Sequence, residues 1–142
     1  RVTSSIAMTY PLIQIDGLGP LAASKLKSQG IRTTATLLER AGTYKGRKEL
    51  AEATGLCEKQ ILGWANIADC MRIKGMGKAK AELIRAAGVT TVREFALRNP
   101  GRLAQAMAEA NTKRKLVRVL PSEQSVGQLI ERAKKLPLKI SY

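Results

Sequence analysis

The sequence contains no histidine and few aromatic residues, with one Trp, one Phe and three Tyr among 142 residues. Without histidine there is no Ser/His or Cys/His catalytic pair and no His-ligated metal site. With so few rings the core must be aliphatic, and the abundant alanine favours closely packed short helices over strands. These absences predict an all-α protein and exclude the His-dependent classes of enzyme.

Cysteine and long apolar runs are also scarce. Cys57 and Cys70 lie on one predicted helix, and their separation of thirteen residues corresponds to about 20 Å at 1.5 Å per residue. A disulfide needs Cα atoms within about 7 Å, which excludes an intrachain bridge. We therefore expect both cysteines to be reduced. Since no apolar run reaches about eighteen residues and no secretory signal is visible, we also expect a cytoplasmic protein without a membrane span. Arg1 in place of Met indicates a processed N-terminus.

The positive charge is large and unevenly placed. The formal net charge is +14, of which residues 1–70 carry +3 and residues 71–142 carry +11. A basic half of this size is typical of proteins with a polyanionic partner, whereas the alternative explanation is solubility alone. We favour nucleic acid as that partner.

Glycine and proline divide the chain into short helical segments. Pro20 and Pro100 are placed to begin helices, and Gly30, Gly42 and Gly55 to end them. An apolar stripe at helical spacing predicts that Trp64 is a core residue and not a base-stacking platform. Helices are predicted at 20–29, through TLLERA to Gly42, at 45–54, from Cys57 or Glu58 to Arg72, at 78–87, after Thr91, from Pro100, and from Ser122 to Pro137.

The chain also contains an internal repeat. The segment IDGLGPLAASKLKSQGIRTT at 15–34 aligns without gaps on IKGMGKAKAELIRAAGVTTV at 73–92. Such a match predicts two copies of one supersecondary unit. The identical pairs are Ile15/Ile73, Gly17/Gly75, Gly19/Gly77, Ala23/Ala81, Gly30/Gly88 and Thr33/Thr91.

Each copy begins with two glycines that flank one apolar residue, followed by a helix. The glycines permit backbone conformations that a Cβ would hinder, and the unpaired amides of the helix start form an anion site with the helix dipole. This pattern resembles the helix-hairpin-helix motif of non-sequence-specific DNA-binding proteins. The resemblance implies that the hairpin amides grip a DNA phosphate.

The whole arrangement is similar to a bacterial family of tandem helix-hairpin-helix proteins known as a domain of unknown function. The stretches that carry this likeness are IDGLGP, KGRKELAEATGL, ILGWANIADCMRIKGMG, AAGVTTVREFALRNP and KLVRVLPS. It implies a compact, SAM-domain-like bundle of short helices with two helix-hairpin-helix units. We expect a loose segment at 1–11 and a tandem domain at 12–137, with repeat 1 at 13–43, connecting helices at 45–72, repeat 2 at 71–100 and C-terminal helices at 100–137.

The two hairpins differ in their charged neighbours. The second is flanked by lysines that would hold a phosphate, whereas the first carries Asp16, which repels phosphate, and Pro20, which lacks an N–H. The first hairpin is therefore predicted to be structural or a weaker site. The implied nucleic-acid contacts are Arg72, Lys74, Gly75, Gly77, Lys78 and Lys80 in the second hairpin, Gly17 and Gly19 in the first, and Lys113, Arg114, Lys115 and Arg118 in a further basic cluster, whose alternative reading is a solvated face.

The sequence thus predicts a DNA-binding protein of weak sequence preference, located with the nucleoid, with RNA left open as a partner. Catalysis is not expected. Base-excision glycosylases, which carry a similar hairpin, resemble one another in pairing a catalytic Lys in or just after it with an Asp further downstream. Lys78 is present here, but no Asp follows Asp69, so the pair is absent. No cofactor or metal is expected either. The rival hypothesis is a protein-interaction or scaffolding module within a larger assembly, in which both hairpins are structural.

Overall fold

The computed structural model describes residues 8–142, so that residues 1–7 of the expected loose segment lie outside the described part. Between residues 8 and 142 the chain forms eight α-helices and one 3-10 helix, Leu12–Gln14, and no strand beyond a single bridge between Pro11 and Thr33. The prediction of an all-α fold is confirmed. The α-helices are α1 (Pro20–Lys27), α2 (Thr34–Ala41), α3 (Tyr44–Thr54), α4 (Glu58–Met71), α5 (Gly77–Ala86), α6 (Val92–Ala96), α7 (Pro100–Arg114) and α8 (Glu123–Lys134).

The chain divides into two compact units. The first unit comprises Arg1–Arg72 with Pro137–Tyr142, and the second comprises Ile73–Leu136. The boundary falls directly before the second hairpin. Each unit therefore contains one copy of the internal repeat.

The first unit is built around α4, which packs against α2 and α3. The predicted apolar stripe of α4 is confirmed, because Ile61, Trp64, Ala68 and Met71 are all buried. Cys57 is exposed at the start of this helix and Cys70 is buried near its end, so the helix separates them as predicted.

A buried arginine holds the C-terminal tail in the first unit. Arg47 of α3 is only 3% exposed. Its guanidinium donates to the carbonyl oxygens of Ala41 at 3.0 Å and Ser141 at 2.7 Å, and the Ser141 amide donates to Gly42 O at 2.8 Å. A buried cation is tolerated only when it is hydrogen-bonded. The C-terminal tail Leu138–Tyr142 is therefore attached to the first unit.

Replacing Arg47 with Met is expected to lower the free energy of unfolding of the first unit by about 2 kcal/mol, because two carbonyl groups lose charge-assisted donors. Urea denaturation measures the change. The matched control is Lys48→Met, since Lys48 is exposed on the same helix. Equal stability of the two variants would contradict the bracing role of Arg47.

The second unit packs α7 against α5 and α8, with α6 lying on α8. Its core includes Phe95, which is fully buried, and an apolar stripe of α8, in which Val126, Leu129, Ile130 and Ala133 are buried. Helix α7 continues to Arg114, beyond the predicted GRLAQAMAEAN segment. Its extra turn carries part of the basic cluster.

In the first part of their hairpins, up to Leu18 and Met76, the two repeat copies share the same local backbone geometry. The Leu18 amide donates to Ile15 O at 3.1 Å, and the Met76 amide donates to Ile73 O at 3.0 Å. The glycine inside each turn has a positive φ, +83° at Gly17 and +90° at Gly75. The repeated turn that the alignment predicted is confirmed.

The helices that follow the two copies, α2 and α6, begin with the same kind of N-cap. Thr33 accepts from the Thr36 amide at 3.3 Å, and Thr91 accepts from the Glu94 amide at 3.0 Å. The Glu94 carboxylate accepts hydrogen bonds from the Thr90 amide and hydroxyl. The Thr90 hydroxyl bond lowers the pKa of Glu94. Thr91 and Glu94 thus form a capping box. In the usual form the carboxylate accepts from the amide of the N-cap residue, whereas here it accepts from Thr90, one residue earlier.

Candidate functional site

The second hairpin is anchored by two buried apolar residues. Ile73 and Met76 are fully buried, whereas Lys74 and Gly75 between them are exposed. The turn therefore presents its polar backbone outward while its apolar side chains enter the core of the second unit.

Backbone amides at the start of α5 are available to a ligand. Within residues 8–142, no hydrogen bond joins the N–H groups of Gly77, Lys78 and Ala79 to any acceptor, and Met76 provides no side-chain cap. Around Gly77, whose φ is +66°, no heavy atom other than its chain neighbours and the nearby backbone of α5 lies within 4 Å of the position that a Cβ would occupy. Open amides of this kind, aligned with the helix dipole, favour an anion.

The three lysines near these amides have different environments. Lys74 is exposed, and among the described residues its ammonium has no hydrogen bond or ion pair. Lys78 Nζ lies 2.9 Å from Glu82 Oε1, on a lysine side chain that is 48% exposed, and a pair with one solvent-exposed partner is worth little in water. Lys80 Nζ donates to Gly75 O at 3.1 Å. Lys74 and Lys78 can turn to an anion, whereas Lys80 closes the hairpin.

Arg132 of α8 also braces the second hairpin, and sequence reasoning missed it. Its guanidinium donates to Lys74 O at 2.8 Å across 58 residues of sequence. A Cβ built on Gly75 would lie 2.8 Å from Arg132 Nη1 and 3.3 Å from Leu129 Cδ2. No local sequence pattern around Arg132 predicts this contact, because it depends on how α8 packs in the second unit.

Arg72 lies in the first unit and is engaged there. It forms an ion pair with Asp69 and donates to Pro137 O at 2.6 Å, and its side chain is 10% exposed. Burial raises the pKa of the Asp69 carboxyl, and the neighbouring Arg72 charge opposes that rise. Of the cations placed before Gly75 by the sequence, Lys74 is thus the accessible one.

The first hairpin departs from the second at its second glycine. Gly19 has a φ of −79° and is the N-cap of α1, followed by Pro20 at the first helical position, whereas Gly77 has a positive φ. Asp16 and Gly17 are exposed in this turn. The first hairpin therefore offers one backbone donor fewer, at Pro20, and carries the Asp16 carboxylate. Both features disfavour binding of an anion.

The basic cluster continues from the end of α7 into a loop. We call residues Lys113–Pro121 the basic loop. Lys115 has a left-handed conformation with φ 49°, and Lys113, Arg114, Lys115 and Arg118 are all exposed. Within the described part of the chain, none of these four cations forms a salt bridge.

The charge balance of the second unit is strongly positive. Residues 73–136 contain fourteen Lys and Arg against five Asp and Glu, a balance of +9. In the part of the chain that the structure describes, no three cysteine, aspartate or glutamate side chains come together as a metal site. None of the helices across residues 8–142 has the length and apolarity needed to cross a membrane.

A comparison with protein-family models gives one match, to a domain of unknown function (DUF4332), over residues 16–136. No curated protein and no solved structure gives a significant match. The matched range covers both hairpins, the connecting helices and α5 to α8. The chain therefore belongs to the DUF4332 family of domains of unknown function.

Proposed function

We propose that the second unit binds nucleic acid, with duplex DNA as the preferred partner, through the phosphate backbone. The observation that carries this proposal is the row of open amides at Gly77, Lys78 and Ala79 beside the exposed Lys74. Amides supply directional donors, and the lysine supplies a charge that draws the phosphate to them. In this proposal the turn is the hairpin of a helix-hairpin-helix unit.

The surrounding charge supports the same proposal. The +9 balance of residues 73–136 attracts a polyanion at long range. The described contacts include no arrangement of side chains suited to reading base edges, and contacts to phosphate carry no direct sequence information. We therefore propose binding of weak sequence preference, without catalysis, that tethers the chain or a larger assembly to nucleic acid in the cytoplasm.

The first hairpin has a structural role in this proposal. Pro20 removes one donor from the start of α1, and Asp16 places a negative charge beside the turn. Both features oppose phosphate binding at the first hairpin. In this proposal the first hairpin serves only to stabilise the fold of the first unit.

The proposal is tested by titrating duplex DNA of two unrelated sequences at several salt concentrations. Neutralising about four phosphates gives a slope of about −4 in a plot of log K against log salt, and the two sequences should bind within a factor of about three. A single-stranded DNA and a structured RNA of equal length establish the partner class. Undetectable duplex binding at low salt would contradict the proposal.

A groove in the first unit favours a second candidate function, docking of a protein partner. The groove has a volume of about 350 Å³ and is lined by Pro11, Leu12, Ile13, Ala23, Lys27, Ile31 and Arg32. Ile13 is 68% exposed at its edge, and apolar side chains in a groove can anchor a partner. Competition distinguishes the two functions, because excess duplex displaces a partner bound to the second unit but not one bound in this groove.

A further inference from the structure

The basic loop exposes two apolar side chains among its cations. Val119 is 84% exposed and Leu120 is 42% exposed, directly after Arg118 and before Pro121. We call Val119 and Leu120 the apolar tip. A single exposed aliphatic residue is ordinary, but two adjacent ones directly after four exposed cations form a surface with two kinds of chemistry.

The side chain of Asn111 fixes the loop that carries this tip. Its Oδ1 accepts from the amides of Leu116 at 2.8 Å and Val117 at 3.0 Å, and its Nδ2 donates to Val117 O at 3.0 Å. The left-handed Lys115 directs the chain away from the end of α7. A loop held in this way loses little conformational entropy on binding, which favours a role in recognition.

The charges of the loop indicate the chemistry of its partner. Between Glu109 and Glu123 the chain has no acidic residue and four cations, Lys113, Arg114, Lys115 and Arg118. The partner must therefore present negative charges around an apolar surface. A nucleic-acid duplex does so, since phosphates border grooves whose sugar and base surfaces are apolar, and small aliphatic wedges can enter them and unstack a base step.

We propose that the basic loop is a second contact on the same nucleic acid, in which its cations hold the phosphate backbone and the apolar tip enters a groove of the duplex. This inference rests on the proposed function of the second unit and extends it from phosphate binding to local deformation of the duplex. The tip would favour flexible pyrimidine–purine steps, because these unstack most easily.

The test uses duplexes that carry 2-aminopurine beside a central TA step. With the wild-type chain we expect 2-aminopurine fluorescence to rise as the step unstacks. The Val119→Ser/Leu120→Ser variant should lose that rise and bind about tenfold more weakly. Its salt slope should stay that of the wild type, because no charge has been removed. The control is Leu97→Ser, which removes an 80% exposed leucine of the second unit outside the basic loop.

The outcomes separate the failure of this inference from the failure of the proposed function. If the wild type binds the duplex and the tip variant matches it in affinity and fluorescence, the inference is overturned and phosphate binding stands. If the wild type does not bind nucleic acid, both are overturned. If the tip variant instead loses binding to vesicles of anionic lipid and keeps its DNA affinity, the tip serves a membrane surface and the inference is wrong.

Discussion

Changing Lys74 and Lys78 together to Glu is expected to weaken duplex binding by about a hundredfold at roughly 0.1 M salt. Lys74 and Lys78 are exposed and flank Gly77, the first residue with an open amide, in the sequence; within the described residues Lys74 has no internal partner, and Lys78 has only the Glu82 carboxylate. Reversal of charge replaces attraction with repulsion at the proposed phosphate site. The salt slope should also become shallower by about 2, one for each lost phosphate contact. Fluorescence anisotropy with a labelled duplex measures both quantities.

Lys80 is left unchanged in this variant for a structural reason. Its ammonium donates to Gly75 O, so its replacement would disturb the turn itself and confuse loss of charge with loss of shape. The matched control is Lys45→Glu/Lys48→Glu, which makes the same change in net charge on the exposed face of α3. If the control weakens binding as much as the hairpin variant, the general field of the protein accounts for the affinity, and the hairpin site is not supported.

The helices could be predicted because their signals are local. Gly42 and Gly55 cap the ends of helices in the structure as predicted from the sequence, and Pro20 and Pro100 each begin one, whereas α1 ends at Lys27, before Gly30. The repeat extended this local information, because one turn geometry predicted for both copies is found at Gly17 and Gly75. The signals of caps, turns and stripes lie within a few residues of the element that they specify.

The missed parts of the site depend on contacts distant in sequence. Arg132 reaches Lys74 O across 58 residues, and no periodicity or motif encodes such a pairing. The engagement of Arg72 with Pro137 O spans 65 residues and was missed for the same reason. Sequence charge could place cations near the hairpin, but only tertiary packing decides which of them remain accessible.

The difference between the two hairpins was predicted in part. Asp16 and Pro20 indicated a weaker anion site in the first copy, and the structure adds that Gly19 and Gly77 have φ of opposite sign. A gapless alignment treats the two glycines as equivalent. Their backbones differ because proline after Gly19 restricts the preceding residue to extended conformations, whereas Lys78 leaves Gly77 free to adopt a positive φ.

Replacing Gly75 with Ala is expected to lower the free energy of unfolding of the second unit by about 2 kcal/mol. About 1 kcal/mol comes from placing an alanine at φ +90°. The rest arises because the new Cβ meets the Arg132 guanidinium and Leu129, which costs the bond to Lys74 O and crowds the packing. Amide hydrogen exchange of α5 and α8 during urea titration measures the second unit separately from the first.

The repeat supplies the matched control, Gly17→Ala in the first hairpin. Gly17 has nearly the same φ, +83°, but no heavy atom lies within 4 Å of its added Cβ, so this variant should lose only the strain of about 1 kcal/mol. A double-mutant cycle then isolates the contact, because Gly75→Ala should cost about 1 kcal/mol less in an Arg132→Ala background. Equal costs at Gly75 and Gly17, unchanged by Arg132→Ala, would show that Arg132 does not brace the hairpin and that backbone strain alone makes glycine necessary there.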